Sequence, residues 1–174
     1  MKKHIVIAGE RQVGKTTLIR KLIEDCDVPI YGFETRCTDY GPDGYHGIYM
    51  YAAGSTDDTQ TEENHVGDCN RRDRRINLDV FDSLGVSLLE AKPDGIIVMD
   101  ELGFMEEGSK YFCDRVLELL DGDIPVIAAA KCKHFGGFLD KVRNHENVML
   151  YTLTEENRNE VYAELKAVVE EMIH

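Results

Sequence analysis

At 174 residues the chain is long enough for one domain with a full hydrophobic core. With 43% hydrophobic and 30% charged residues, and no apolar run near the ~20 residues of a membrane span, it reads as soluble and globular. The net charge of −13 argues against general nucleic-acid binding, because the phosphate backbone would be repelled.

Met1 to Lys3 lead straight into His4-Ile5-Val6-Ile7-Ala8, so no signal peptide fits and a cytoplasmic location is expected. That apolar, β-branched run predicts a buried parallel strand. Gly9-Glu10-Arg11-Gln12-Val13-Gly14-Lys15-Thr16 follows and reads G-x-x-x-x-G-K-T, the phosphate-binding loop. Gly9 and Gly14 allow the turns that converge the amides of Glu10, Arg11, Gln12 and Val13 on one anion. The next helix adds the positive end of its dipole. Lys15 is expected on the β- and γ-phosphates, Thr16 on Mg²⁺ and Thr17 on the α-phosphate. Leu18, Ile19, Leu22 and Ile23 form one face of a helix over residues 15–25, which Asp27-Val28-Pro29 breaks.

Residues 30–37 and 45–52 predict an antiparallel hairpin across the turn Gly41-Pro42-Asp43-Gly44. The polar stretch from Gly54 to Asn70 reads as a surface loop or irregular edge strands. Arg71, Arg72, Arg74 and Arg75 then make the one basic cluster of an acidic chain. Two readings of it stand open: a solvated face, or a flap that brings an arginine to the phosphates, where its fork matches the oxygens. Arg36, on the second strand, is a candidate for the same role.

Ile76 to Leu78 reads as a short strand, and Asp79 as the cap of a helix through about Ala91. Ile96-Ile97-Val98-Met99-Asp100-Glu101 is a buried strand ending in two carboxylates, at the end where open α/β sheets bind ligands. Asp100 matches the acid that holds Mg²⁺ in phosphate-loop enzymes, and Glu101 is placed to orient or deprotonate an attacking water. Phe112, Val116, Leu119 and Leu120 have core spacing on a further helix. Strands over 124–130 and 148–151 and a last helix capped by Thr154 complete the chain. Cys26, Cys37, Cys69, Cys113 and Cys132 read as reduced thiols, and no four ligands have zinc-like spacing.

The alternation of strands and helices predicts an α/β fold, a mostly parallel sheet with helices on both faces and an added antiparallel hairpin. The chain also resembles the small THEP1-type nucleoside-triphosphatases. The matching stretches are Ile7 to Thr17, Tyr31 to Thr35, Val98 to Gly103 with Met105-Glu106, and Leu153 to Arg158; His134-Phe135 with Phe138 to Lys141 is weaker. The resemblance implies a three-layer α/β/α phosphate-loop domain of RecA-like type, residues 1–174. It also implies Mg²⁺-dependent hydrolysis of nucleoside triphosphates with loose base selectivity. Ala130-Lys131-Cys132-Lys133 agrees, lacking the Asn and Asp of a guanine-reading motif.

Two departures stand out. Arg11-Gln12 replaces the family's Pro-Gly, which reshapes the loop, and Phe104 replaces a lysine near the metal-binding acids. A ring cannot neutralise charge on the γ-phosphate, so slow turnover is expected, with Phe104 stacking on a base or packing under the flap. The alternatives to a hydrolase are a nucleotide-dependent switch with incidental turnover, and a nucleotide or small-molecule kinase. The sequence specifies no protein partner.

Overall fold

The computed structural model describes residues 1–103, 105–133 and 136–174. In chain order the strands are β1 (His4–Gly9), β2 (Ile30–Cys37), β3 (His46–Ala52), β4 (His65–Cys69), β5 (Arg74–Ile76), β6 (Ile96–Leu102), β7 (Val126–Lys131) and β8 (Val148–Leu153). The helices are α1 (Lys15–Glu24), α2 (Leu78–Val80), α3 (Val86–Leu88), α4 (Lys110–Asp121), α5 (Gly137–Arg143) and α6 (Arg158–Ile173). A π-helical turn, Phe81–Gly85, joins α2 to α3.

The strands form one sheet in the order β5-β4-β3-β2-β6-β7-β1-β8. From β2 to β8 the pairings are parallel, and from β2 outward to β5 they are antiparallel. The central parallel strands β1, β6 and β7 bury both faces, which is why they read as apolar runs. On one face Leu18, Ile19 and Leu22 of α1 and Val161, Leu165 and Val169 of α6 cover Ile5, Ile7 and Ile127. On the other, Phe112, Val116 and Leu120 of α4 pack on Phe33, Met99 and Ala128. Phe112 meets the rings of Phe33 and Phe81 edge-on, at 5.5 and 5.2 Å between centroids. Burying each such side chain contributes roughly 1.5–3 kcal/mol, so the two faces carry most of the fold.

Of the two readings of the polar stretch 54–70, the strand holds in part: β4 pairs with β3, across a register shift at Ile48/Tyr49, and with β5. Three other local expectations shift. Asn77, not Asp79, precedes the first turn of α2, because its N–H is already tied to the carbonyl of Val66 on β4. That helical segment ends with Leu88 in α3 rather than near Ala91. Thr154 and Asn157 exchange hydrogen bonds, each side chain accepting the other's N–H, and α6 starts only at Arg158. Among the described residues no helix is long and apolar enough to cross a membrane.

Candidate active site

Parallel pairing brings the carboxyl ends of β1, β6, β7 and β8 to one edge, with Gly9 level with Lys131 on one side and Leu153 on the other. The chain leaves β1 at Gly9, passes exposed Glu10, Arg11 and Gln12, and re-enters at Val13, whose side chain is buried in the α1 core. Gly14 then takes a left-handed conformation, φ 107°, which opens α1. Gln12 has φ 62°. A side chain there strains the backbone by about 1–2 kcal/mol, which explains why the resemblance expects a glycine at that position.

The Lys15 ammonium is buried. It donates to the carbonyls of Gly9 (2.6 Å) and Glu10 (2.9 Å) and lies 3.4 Å from Glu101 Oε2. The Thr16 hydroxyl donates to Asp100 Oδ1 at 3.1 Å. Burial pushes the Asp100 carboxyl up to about 6, helped by the negative Glu101 and Glu34 and opposed by the Thr16 hydrogen bond. Arg11, Gln12, Gly14, Lys15, Thr16, Thr17 and Glu101 together line a cavity of about 220 Å³ at the loop. The loop residues and both acids of β6 thus converge on one place, although 84 positions separate Thr16 from Asp100.

This loop, followed by a helix and faced by the two acids of a parallel strand, lies in an α/β phosphate-loop fold. A family model described as NTPase matches residues 4–166. The chain belongs to the NTPase family. The nucleoside-triphosphatase THEP1 of Thermotoga maritima is 31% identical over 180 residues, covering 95% of this chain and 94% of that protein. The crystal structure of THEP1 from Aquifex aeolicus superposes with a TM-score of 0.71 at 26% identity, over 96% of this chain and 99% of that one. The solution structure of a human cancer-related nucleoside triphosphatase gives a TM-score of 0.69 at 23% identity, over 97% and 98%.

Within this member of the NTPase family, Glu101 has a second cation that the motifs do not announce. Lys131 Nζ lies 3.2 Å from Glu101 Oε1. The lysine stem passes over Gly103, where an added Cβ would stand 3.1 Å from its Cε. Buried Arg143 of α5 donates to the carbonyls of Lys131 (2.6 Å) and Lys133 (2.9 Å) and to Asp140, fixing the backbone from which Lys131 reaches. The only sequence signal was the position of Lys131 at the end of an apolar run; that its strand lies beside β1 and β6 is set by the sheet order. Glu106 is a further buried acid, accepting the N–H of Gly103 at 2.5 Å. Burial pushes its carboxyl up to about 7; the nearby Glu101 adds to the rise, and the Gly103 bond and Lys131 oppose it.

The candidate arginines disperse. Arg36 turns to Glu34 and Asp58, to the carbonyls of Ser55 and Asp57, and stacks on Tyr51 at 4.2 Å, so it braces the segment after β3. Arg20 of α1 holds the other oxygen of Glu34 at 3.0 Å. These two arginines outweigh the burial that alone would raise Glu34, and hold its carboxyl below the ordinary range. Arg71 and Arg72 line a separate cavity with Tyr40 and Asn70, and Arg75 stacks on Tyr45 at 3.9 Å. Arg74 lies across from Cys69, whose thiol burial pushes up while Arg74 and Lys131 both act on it. Phe104 lies outside the described residues, as do His134 and Phe135.

Proposed function

We propose that the protein hydrolyses nucleoside 5′-triphosphates to the diphosphate and phosphate, slowly and with loose base selectivity. The observation that carries this reading is the Glu101 carboxylate held against Lys15 at the mouth of the loop, beside the Thr16–Asp100 pair. The amides of residues 10–14 and the start of α1 would receive the phosphates, with Lys15 as a point charge on the β- and γ-oxygens. Water attacks the γ-phosphorus, Glu101 accepts its proton, and the bond from that phosphorus to the β-bridging oxygen breaks, releasing the diphosphate.

Thr16 and Asp100 offer a hydroxyl and a carboxyl oxygen 3.1 Å apart, a hard donor set that Mg²⁺ takes together with phosphate oxygens and water. The burial that raises Asp100 is a penalty a dication offsets. When bound, Mg²⁺ supplies positive charge to the β/γ-oxygens. Relatives named nucleoside-triphosphatases over nearly the whole length support the same chemistry.

The test is free-phosphate release with no added acceptor, over all NTPs and dNTPs, with Mg²⁺ and with a chelator. Release from every nucleotide at comparable rates near or below ~1 s⁻¹, abolished by the chelator, is expected. Phosphate transfer seen only with an added acceptor would make the protein a kinase instead.

A further inference from the structure

Beside the loop cavity runs a second one, of about 250 Å³, between α1 and α6. Thr17, Leu18 and Lys21 line it from one face of α1, and Gly14 from the cap that opens that helix. Arg158, Asn159 and Tyr162 line it from the first turns of α6, and Leu153 at the end of β8 borders it as well. The two cavities share Gly14 and Thr17. A triphosphate with its γ-end at Lys15 and its α-end at Thr17 therefore points its nucleoside into this groove.

We propose that the groove between α1 and α6 is the nucleoside subsite, with the Arg158 guanidinium over the base and Tyr162 closing its far side; this rests on the triphosphatase reading above. Arg158 stands over the end of the loop: its Nε, Cδ and Cζ are 3.6, 3.8 and 3.9 Å from where a Gly14 Cβ would sit. The Thr154–Asn157 exchange and the bond from Asn157 Nδ2 to the Thr152 carbonyl (2.9 Å) fix the backbone that carries it. The guanidinium itself is half-exposed and faces Glu155 only at 3.9 Å, so its flat face is available to a ligand.

Planar guanidinium stacks on planar rings, and every base offers such a face whatever its edge carries. Leu18 and Leu153 supply apolar surface, and Lys21 sits 5.9 Å from the Tyr162 ring centroid, bordering the open side. Asn159 is the neutral amide in the lining, and an amide both donates and accepts, so it fits the edges of different bases. The subsite thus recognises a nucleoside by its flatness and gives little discrimination among bases.

The test uses the whole chain and titration calorimetry with non-hydrolysable analogues of ATP, GTP and UTP, and with inorganic tripolyphosphate. Arg158→Ala and Tyr162→Ala should weaken all three nucleotides by roughly 5- to 100-fold, the range of lost base stacking, and leave tripolyphosphate unchanged. Arg158→Lys, which keeps charge but loses the plane, should lose nearly as much as the alanine variant. An equal loss of tripolyphosphate affinity would overturn the proposal, since Arg158 would then be reading phosphate. Wild-type nucleotide affinity in both alanine variants would overturn it too. Phosphate release is measured in parallel: analogue binding without release sinks the hydrolase reading, while the variants still decide the subsite.

Discussion

At the carboxyl ends of β1, β6 and β7 Lys15 and Asp100 are buried, Glu101 and Lys131 are partly buried, and their partners come from other strands or the loop, whereas Arg74 and Arg75 on the β4–β5 wing are exposed. The Lys15 side chain is 5% exposed and faces Glu101; the Arg75 side chain is 59% exposed and faces Asp73 at 3.9 Å. Exposed pairs of the second kind contribute roughly 0–1 kcal/mol, because water screens them and ordering two long side chains is unfavourable. Buried pairs are held by geometry that the whole fold must supply, and breaking one leaves an uncompensated charge. The difference teaches where to look for chemistry in an acidic chain: not at the densest run of basic residues, but where single cations are taken out of water.

Lys15→Ala tests that contrast with the largest effect. Phosphate release should fall by more than ~10³-fold, and triphosphate binding should weaken more than monophosphate binding, since the lost charge faces the β/γ-oxygens. Undiminished release would place the chemistry elsewhere. Glu101→Gln comes next, slowing release by roughly 10²–10⁴-fold with nucleotide affinity kept, while Asp100→Asn should act on the Mg²⁺ concentration dependence. If these two variants behave alike, the division of labour between the neighbouring acids is wrong. Lys131→Ala, which frees one oxygen of Glu101, should cut kcat by roughly 10–10²-fold with a smaller change in KM. A change confined to KM would mean that Lys131 binds nucleotide rather than positioning Glu101.

Glu106 sharpens the comparison through stability. Its carboxyl is raised to about 7 from an ordinary 4.5, so the folded protein binds a proton there that the unfolded chain has released. Wild-type stability should therefore fall as pH rises from about 4.5 through about 7, and Glu106→Gln, which still accepts the Gly103 N–H, should remove the share of that slope due to Glu106, leaving the part up to about 6 that the raised Asp100 contributes. Above the upper limit the variant should be more stable by about 1–3 kcal/mol, read from urea midpoints across the range. Parallel profiles would show that burial at Glu106 is relieved by water.

The smallest effects belong to the wing. Arg71→Ala, Arg72→Ala, Arg74→Ala and Arg75→Ala should each change the affinity for a non-hydrolysable triphosphate by no more than about 1 kcal/mol, the scale of an exposed charge. Four unchanged affinities would leave the cluster a solvated face throughout.

Read by itself, the sequence determined the phosphate loop, the strand before it and the strand that ends in Asp100-Glu101. These are short contiguous patterns whose spacing is set by one turn of backbone, so the information sits within a few residues. It also determined the α/β class, because apolar runs buried on both faces and one-sided helices differ in period. The tertiary structure decided between the loop and strand readings of the polar stretch 54–70, since β4 depends on β3 and β5 for its partners. It alone turned Arg36 away to Glu34 and Asp58, and it alone brought Lys131 to Glu101, Arg143 to the Lys131 carbonyl and Arg158 to Gly14. Arg158 and Gly14 come from opposite ends of the chain, and Lys131 and Glu101 from the neighbouring strands β7 and β6; no local pattern records these two meetings, which follow from the order in which the strands pair.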